Sequence, residues 1–216
     1  VGSAEQCLRD VEHHFHRIFE ELARWESALG ELFAAGPVSA AMATTAIAAR
    51  VIGFLDGPNH LVGGGFVAAR DALSDRPLYL AWWQGDDRRL LAEPTLSATD
   101  TFDYTRRPWF TRPELTGQPH LTGPYVDFVC TDEYTVTATA PVVVGGRMVG
   151  VVGADTLVET LERMLLAGLR DAGATLVNEH GRAVVSADPH VGPGDRVDGG
   201  RGVLPCSGLP LAVVLH

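Results

Sequence analysis

The sequence contains no lysine: all 17 of its cationic side chains are arginine. That absence excludes a Schiff-base lysine, a P-loop lysine and a kinase lysine, since each of those mechanisms needs the missing amine. With so much Ala, Gly, Val and Pro beside it, the bias also marks a GC-rich coding sequence, as in a GC-rich bacterium. Positive charge is scarce altogether, because 27 acidic residues leave a formal net charge of −10. Adjacent arginines occur only at Arg88-Arg89 and Arg106-Arg107, so no basic stripe can neutralise phosphates and no nucleic-acid partner is expected. The three cysteines, Cys7, Cys130 and Cys206, are too far apart for a metal motif and too few for a disulfide framework. No apolar run approaches the roughly 18 residues of a membrane span. The chain starts at Val1 without a signal-like segment. We expect a soluble chain, with unpaired cysteines favouring the cytoplasm.

What is present is an ordinary globular composition: 216 residues, 46% hydrophobic and 20% charged. That suffices for one sizeable core, or for a domain plus a small appendage. Leu8, Val11, Phe15, Ile18, Leu22, Trp25, Leu29 and Leu32 recur at alternating steps of three and four, predicting a long helix with an a/d seam. Such a seam either dimerises the chain or packs along its own sheet. Gly36-Pro37 ends this helix. Ser39 is placed to cap a second, Ala-rich helix reaching about Leu55.

Beyond that point the period shortens. Strands are predicted over 61–69, 78–84 and 88–93, then a short helix over 108–115. Strands over 120–129, 134–144 and 147–154 follow, the last two joined by the Gly145-Gly146 turn. Thr156-Leu157-Val158-Glu159 has the pattern of a capping box opening a helix to about Leu169. A hairpin over 175–186, a loop over 188–202 and a strand over 209–215 complete the chain. Turn-connected strands with flanking helices predict an α+β fold with an antiparallel sheet. The absence of a G-x-G-x-x-G after a strand disfavours dinucleotide binding, and no cofactor is expected.

The richest polar and aromatic cluster runs from Phe102 through Asp103, Tyr104, Arg106, Arg107, Pro108, Trp109 and Phe110. Gly123-Pro124-Tyr125-Val126-Asp127 follows, and then Gly153-Ala154-Asp155. Arg-x-Trp-aromatic, Gly-Pro-Tyr and a hairpin ending in Gly-x-Asp, in that order behind a long helix, resemble the ligand-binding lobe of Cache (PAS-like) sensor domains. The resemblance covers about residues 5–172, and with so few residues left it implies a truncated second lobe. It implies helices over 1–56, a ligand-binding lobe over 57–172 and a vestigial β extension over 173–216. It also implies that Arg107 and Trp109 hold a ligand's carboxylate while Tyr125 and Asp155 hold its ammonium group. A guanidinium fork suits the first task, and a carboxylate among aromatic rings suits the second. Phe102 and Phe110 stand where the amino-acid-binding branch has tyrosines, so two hydroxyls are missing, and Tyr104 or Asp127 could replace them.

Each residue also has a structural reading: Asp155 at a helix start, Trp109 in the core, Arg107 as a solvated partner of Arg106, Tyr125 as a strand anchor. Trp82 and Trp83 alternate on their strand, so one packs in the core and the other is open to line a pocket. Glu12, His16 and Glu20 share a helix face, but one short face supplies too few ligands and no metal is expected. Cys130 sits among acids, which disfavour a thiolate, and no hydrolase motif is present, so no catalytic residue is assigned. The expected function is a small-molecule sensor for an amine, amino acid or carboxylate, not an enzyme. Its expected partners are that ligand, a second copy through the first helix and a separate regulator. The alternatives are an enzyme using the same pocket or a ligand-free dimerisation module. Most Cache domains work outside the cytoplasm, so that compartment stays open beside the cytoplasmic expectation.

Overall fold

The computed structural model describes residues 2–58, 60–85, 87–91, 103–127 and 132–216. Phe102 and Cys130, and parts of the strands predicted over 88–93 and 120–129, lie outside them. The first helix, α1, spans Gly2–Ala35 and α2 spans Ala40–Leu55, with the Ser39 side chain accepting from the Met42 amide as predicted. Strands β1 (Gly63–Ala68), β2 (Leu80–Gln84) and β3 (Arg89–Leu91) follow. A 3-10 turn at Tyr104–Arg106 precedes α3 (Pro108–Thr116). Then come β4 (His120–Val126), β5 (Tyr134–Val144), β6 (Arg147–Leu157) and α4 (Val158–Ala172). Strands β7 (Ala174–Asn178), β8 (Ala183–Ser186), β9 (Gly202–Pro205) and β10 (Leu211–Leu215) close the chain. One sheet has the order β3-β2-β1-β6-β5-β4 and a smaller one the order β8-β7-β10-β9. The fold is the expected α+β.

The a/d seam is consumed within one chain. Val11, Phe15, Leu22, Trp25 and Leu29 are fully buried and Ile18 nearly so. Each such side chain contributes about 1.5–3 kcal/mol relative to exposure. Of the two uses expected for the seam, packing against its own chain is the one observed for these six residues.

The chain forms two compact units, and these cut across the expected division at residues 56 and 172. One unit comprises 18–120 and 137–155. In it, Trp25 lies against the sheet at Gly64, where a Cβ would stand 3.3 Å from its ring, and Phe33 packs on Phe66 with ring centroids 6.1 Å apart. Arg88 clamps the end of α2, its guanidinium donating to the Leu55 carbonyl at 2.6 Å and to Asp56 Oδ1 at 2.8 Å. Positive charge at a helix C-terminus meets the carbonyl end of the dipole there.

The other unit comprises 1–17, 121–136 and 156–216. Helix α4 packs on β7 and β8, and the Cys7 thiol fits so closely over α4 that a Cβ on Gly168 would be 2.6 Å from its sulfur. Strand β9 is a departure from the sequence reading, which ended a loop at Gly202 and assigned no element between it and the strand at Leu209. Its Gly and Pro obscure a four-residue strand that pairs with β10 from Gly202 to Pro205.

Candidate ligand-binding site

Cross-strand register decides which side chains share a face, because paired residues in antiparallel strands project to the same side. Gly63 pairs with Asp155 and Gly65 with Gly153 between β1 and β6, while Gly65 pairs with Trp82 and Gly63 with Gln84 between β1 and β2. Asp155, Gly153, Gly63, Gly65 and Trp82 therefore lie on one face. Gly64 and Trp83 belong to the opposite face, on which Trp25 packs. This answers the question left by the tandem tryptophans: Trp83 belongs to the helix-covered core and Trp82 to the face that carries Asp155.

Strand β5 supplies two threonines to that face. The Thr137 hydroxyl donates to Asp155 Oδ1 at 2.6 Å, with both residues only 3% exposed. The Thr139 hydroxyl donates to the Trp109 carbonyl at 2.9 Å, fastening α3 to the sheet. A buried carboxylate and an aromatic residue from a separate element are thus set by hydroxyls two residues apart on one strand. Neither threonine stood out in the sequence; the signal was Thr-Val-Thr-Ala-Thr alternation at 135–139, which also suits a plain strand.

Asp155 does not start a helix. Strand β6 runs on to Leu157, and α4 begins at Val158 without a side-chain cap, so the predicted capping box does not form. The Thr156 hydroxyl instead lies 3.1 Å from His14 Nε2. Strand pairing persists because Val62 donates its amide to the Asp155 carbonyl, keeping the backbone extended there.

Arg107 is exposed and sits at the N-cap of α3, its carbonyl accepting from the Phe110 and Thr111 amides. Trp109 is half-buried. Phe110 is 1% exposed and packs edge-on to Trp109, with Tyr104 stacked on Trp109 at 6.4 Å between centroids. Phe110 is core. Tyr104 is not the replacement for a missing ligand hydroxyl. Its hydroxyl accepts from the Tyr79 amide at 2.8 Å and donates to the Ala68 carbonyl at 2.9 Å, which commits it to the backbone of β1 and of the residue just before β2. Just before it, Asp103 caps the 3-10 turn, and the Thr105 hydroxyl beside its carboxylate holds its pKa below the usual value.

Tyr125 and Asp127 belong to the other unit. Tyr125 is half-buried on β4 and Asp127 is buried just after it. The peptide between Gly123 and Pro124 is cis, and the Gly123 carbonyl accepts from the Asn178 side chain at 2.7 Å. Glu12 does not face a metal cluster: its carboxylate accepts from the Ser207 amide. Among the described residues no group of three or more His, Cys, Asp or Glu could hold a metal ion. Nor does any helix among them have the length and apolarity to cross a membrane.

Residues 59–163 match the family described as methyl-accepting chemotaxis protein-like, first PDC sensor domain. Over that segment the chain is similar to Cache-like sensor domains. It is also 32% identical over 125 residues to the methyl-accepting chemotaxis protein PctB of Pseudomonas aeruginosa, an alignment covering 54% of this chain and 20% of that receptor. The chain therefore spans about a fifth of that relative's length. Among solved structures, methyl-accepting chemotaxis protein X superposes with a TM-score of 0.74 at 15% identity, over 99% of this chain and 95% of that one. The ligand-binding domain of the Pseudomonas aeruginosa amino-acid chemoreceptor PctC, in complex with GABA, gives 0.61 at 18% identity over 99% and 97%. The sensory domain of the Campylobacter jejuni chemoreceptor Tlp3, with isoleucine bound, gives 0.66 at 11% identity over 99% and 89%. These structures share the Cache-like fold.

Proposed function

We propose that the chain recognises a small amine, amino acid or carboxylate on the face that carries Asp155, and binds it without turning it over. The observation that supports this best is the Asp155 carboxylate, 3% exposed and oriented by Thr137. A buried, oriented carboxylate is what an ammonium group needs, because the low local dielectric strengthens the pairing. Arg107 and Trp109, at the start of the helix that Thr139 fastens to the same sheet, take the carboxylate end. Tyr125 and Asp127 enter on the sequence motif alone. Phe110 acts through packing, holding Trp109 in place. The PctC and Tlp3 structures, with GABA and isoleucine bound, support an amino-acid-like ligand.

Binding reaches α1 through the chain itself. Asp155 is one peptide bond from Thr156, whose hydroxyl meets His14 on α1. A ligand that holds Asp155 in one position biases that contact, and the signal is a shift in helix population.

The test is a thermal-shift and calorimetric screen of amino acids, short amines and short carboxylates, with the ligand recovered and weighed by mass spectrometry afterwards. Stabilisation by at least one compound that is recovered unchanged, and its loss in Arg107→Ala, supports the reading. Recovery of a chemically altered compound would replace it with an enzyme.

A further inference from the structure

The face that carries Asp155 holds a second group that the sensor reading leaves unused. Trp82 projects from β2 across the sheet. A Cβ on Gly63 would stand 2.7 Å from its Nε1, and a Cβ on Gly153 would stand 3.3 Å from its Cη2. The indole therefore spans from β1 to β6, lying over positions that only glycine leaves open. Its imino end is at Gly63, whose register partner is Asp155.

Trp82 is 5% exposed, and its buried Nε1 has no hydrogen-bond partner among the described residues. A buried indole N–H normally finds an acceptor, since leaving it unmade forfeits the hydration it gave up on folding. Packing does not require this donor: phenylalanine would fill much of the same space without it. An unsatisfied donor, aligned over two glycines on the face that carries an oriented carboxylate, is an arrangement that a bound molecule completes.

We propose that Trp82 is a specificity-determining residue of this site, its indole N–H donating to an acceptor atom of the ligand close to the cationic group held by Asp155. The inference rests on the sensor reading and narrows its ligand class. The site then takes cations that also carry a carboxylate, carbonyl or ether oxygen within a few atoms, and discriminates against plain alkylamines. Such discrimination is large when a buried polar group of the site would otherwise be left unpaired.

The test uses the whole chain labelled with nitrogen-15, whose four tryptophans give four indole signals, with Trp82→Phe identifying one of them. The probes are 4-aminobutyrate and L-isoleucine, which carry an acceptor, and n-pentylamine, which does not. The expected result is a downfield move of the Trp82 indole proton with an acceptor-bearing probe and none with n-pentylamine. Trp82→Phe weakens that acceptor-bearing probe about tenfold while changing n-pentylamine binding little. The wild-type shift needs no variant beyond the assignment, so a poorly folded Trp82→Phe does not spoil it. If Arg107→Ala abolishes binding while the indole signal stays still and Trp82→Phe binds normally, the role of Trp82 is wrong and the site stands. If none of the three probes binds and the wider screen finds only ligands lacking a cationic group or an acceptor, the role of Trp82 is wrong and the sensor reading stands; if nothing in the screen binds, both are wrong.

Discussion

Thr137 donates its hydroxyl to Asp155 Oδ1 at 2.6 Å, from one strand of the larger sheet to the next, with both side chains buried. A hydroxyl that orients a buried carboxylate contributes to stability and to binding at once, because removing it leaves the charge with one donor fewer. Thr137→Val keeps the shape and removes the donor. It is expected to cost about 1–3 kcal/mol of folding stability, read by denaturant titration, and to weaken ligand binding about tenfold. Thr137→Ser, which keeps the hydroxyl, is expected to retain both.

Glycine serves opposite ends at two positions. A Cβ on Gly65 would lie 1.9 Å from the Ala81 carbonyl oxygen, so the strand pair must open to admit it. Gly65→Ala is expected to destabilise the chain by about 3 kcal/mol or more, the upper range of overpacking costs. Gly30 lies within α1 with nothing within 4 Å of an added Cβ. Gly30→Ala is expected to stabilise by about 0.5–1 kcal/mol, since it removes unfolded-state freedom and improves helix propensity. Thermal melts of the two variants should move in opposite directions.

Tyr104 is a structural residue with a hydroxyl fixed between the Tyr79 amide and the Ala68 carbonyl. Tyr104→Phe is expected to lose about 1–3 kcal/mol in a chemical melt, because it strands buried backbone groups. Its effect on ligand affinity is expected to be smaller than that of Arg107→Ala, as it reaches the site only through the Trp109 stack. A variant that binds far more weakly at unchanged stability would return Tyr104 to the ligand.

Cys206 gives a pH signature outside the site. Burial first, and the nearby Glu12 charge second, raise its thiol from 9.0 to about 12. The folded state therefore keeps a proton that the unfolded chain gives up above pH 9.0. The linked stability is fully present below that value and is lost as pH rises toward about 12. Between those values the melting temperature of the wild-type chain should fall more steeply than that of Cys206→Ala. The folded thiol should also resist alkylation at neutral pH.

Much of the fold was legible because periodicity survives in long elements. The three-four spacing from Leu8 to Leu32 marks α1, and the Gly145-Gly146 turn marks the β5–β6 hairpin. Local patterns failed where tertiary partners compete. Thr156 has the sequence of a helix cap, yet its hydroxyl goes to His14, 142 residues away, and the strand continues through it. Tyr104 lies beside the binding motif in sequence, yet its oxygen is spent on β1 and the approach to β2. Thr137 and Thr139 were invisible as site residues because their roles depend on Asp155 and Trp109 arriving from other elements. For Trp82, the alternation gave two faces but not which one carried Asp155; only the register of β1 with β2 and β6 decides that.

The most direct test of the central reading is a crystal structure of the chain grown with whichever compound of the screen stabilises it most. The account predicts density for that compound with its cationic group within hydrogen-bond reach of Asp155 and its anionic end at Arg107. Density for the compound elsewhere, with Asp155 still bonded only to protein groups, would contradict it.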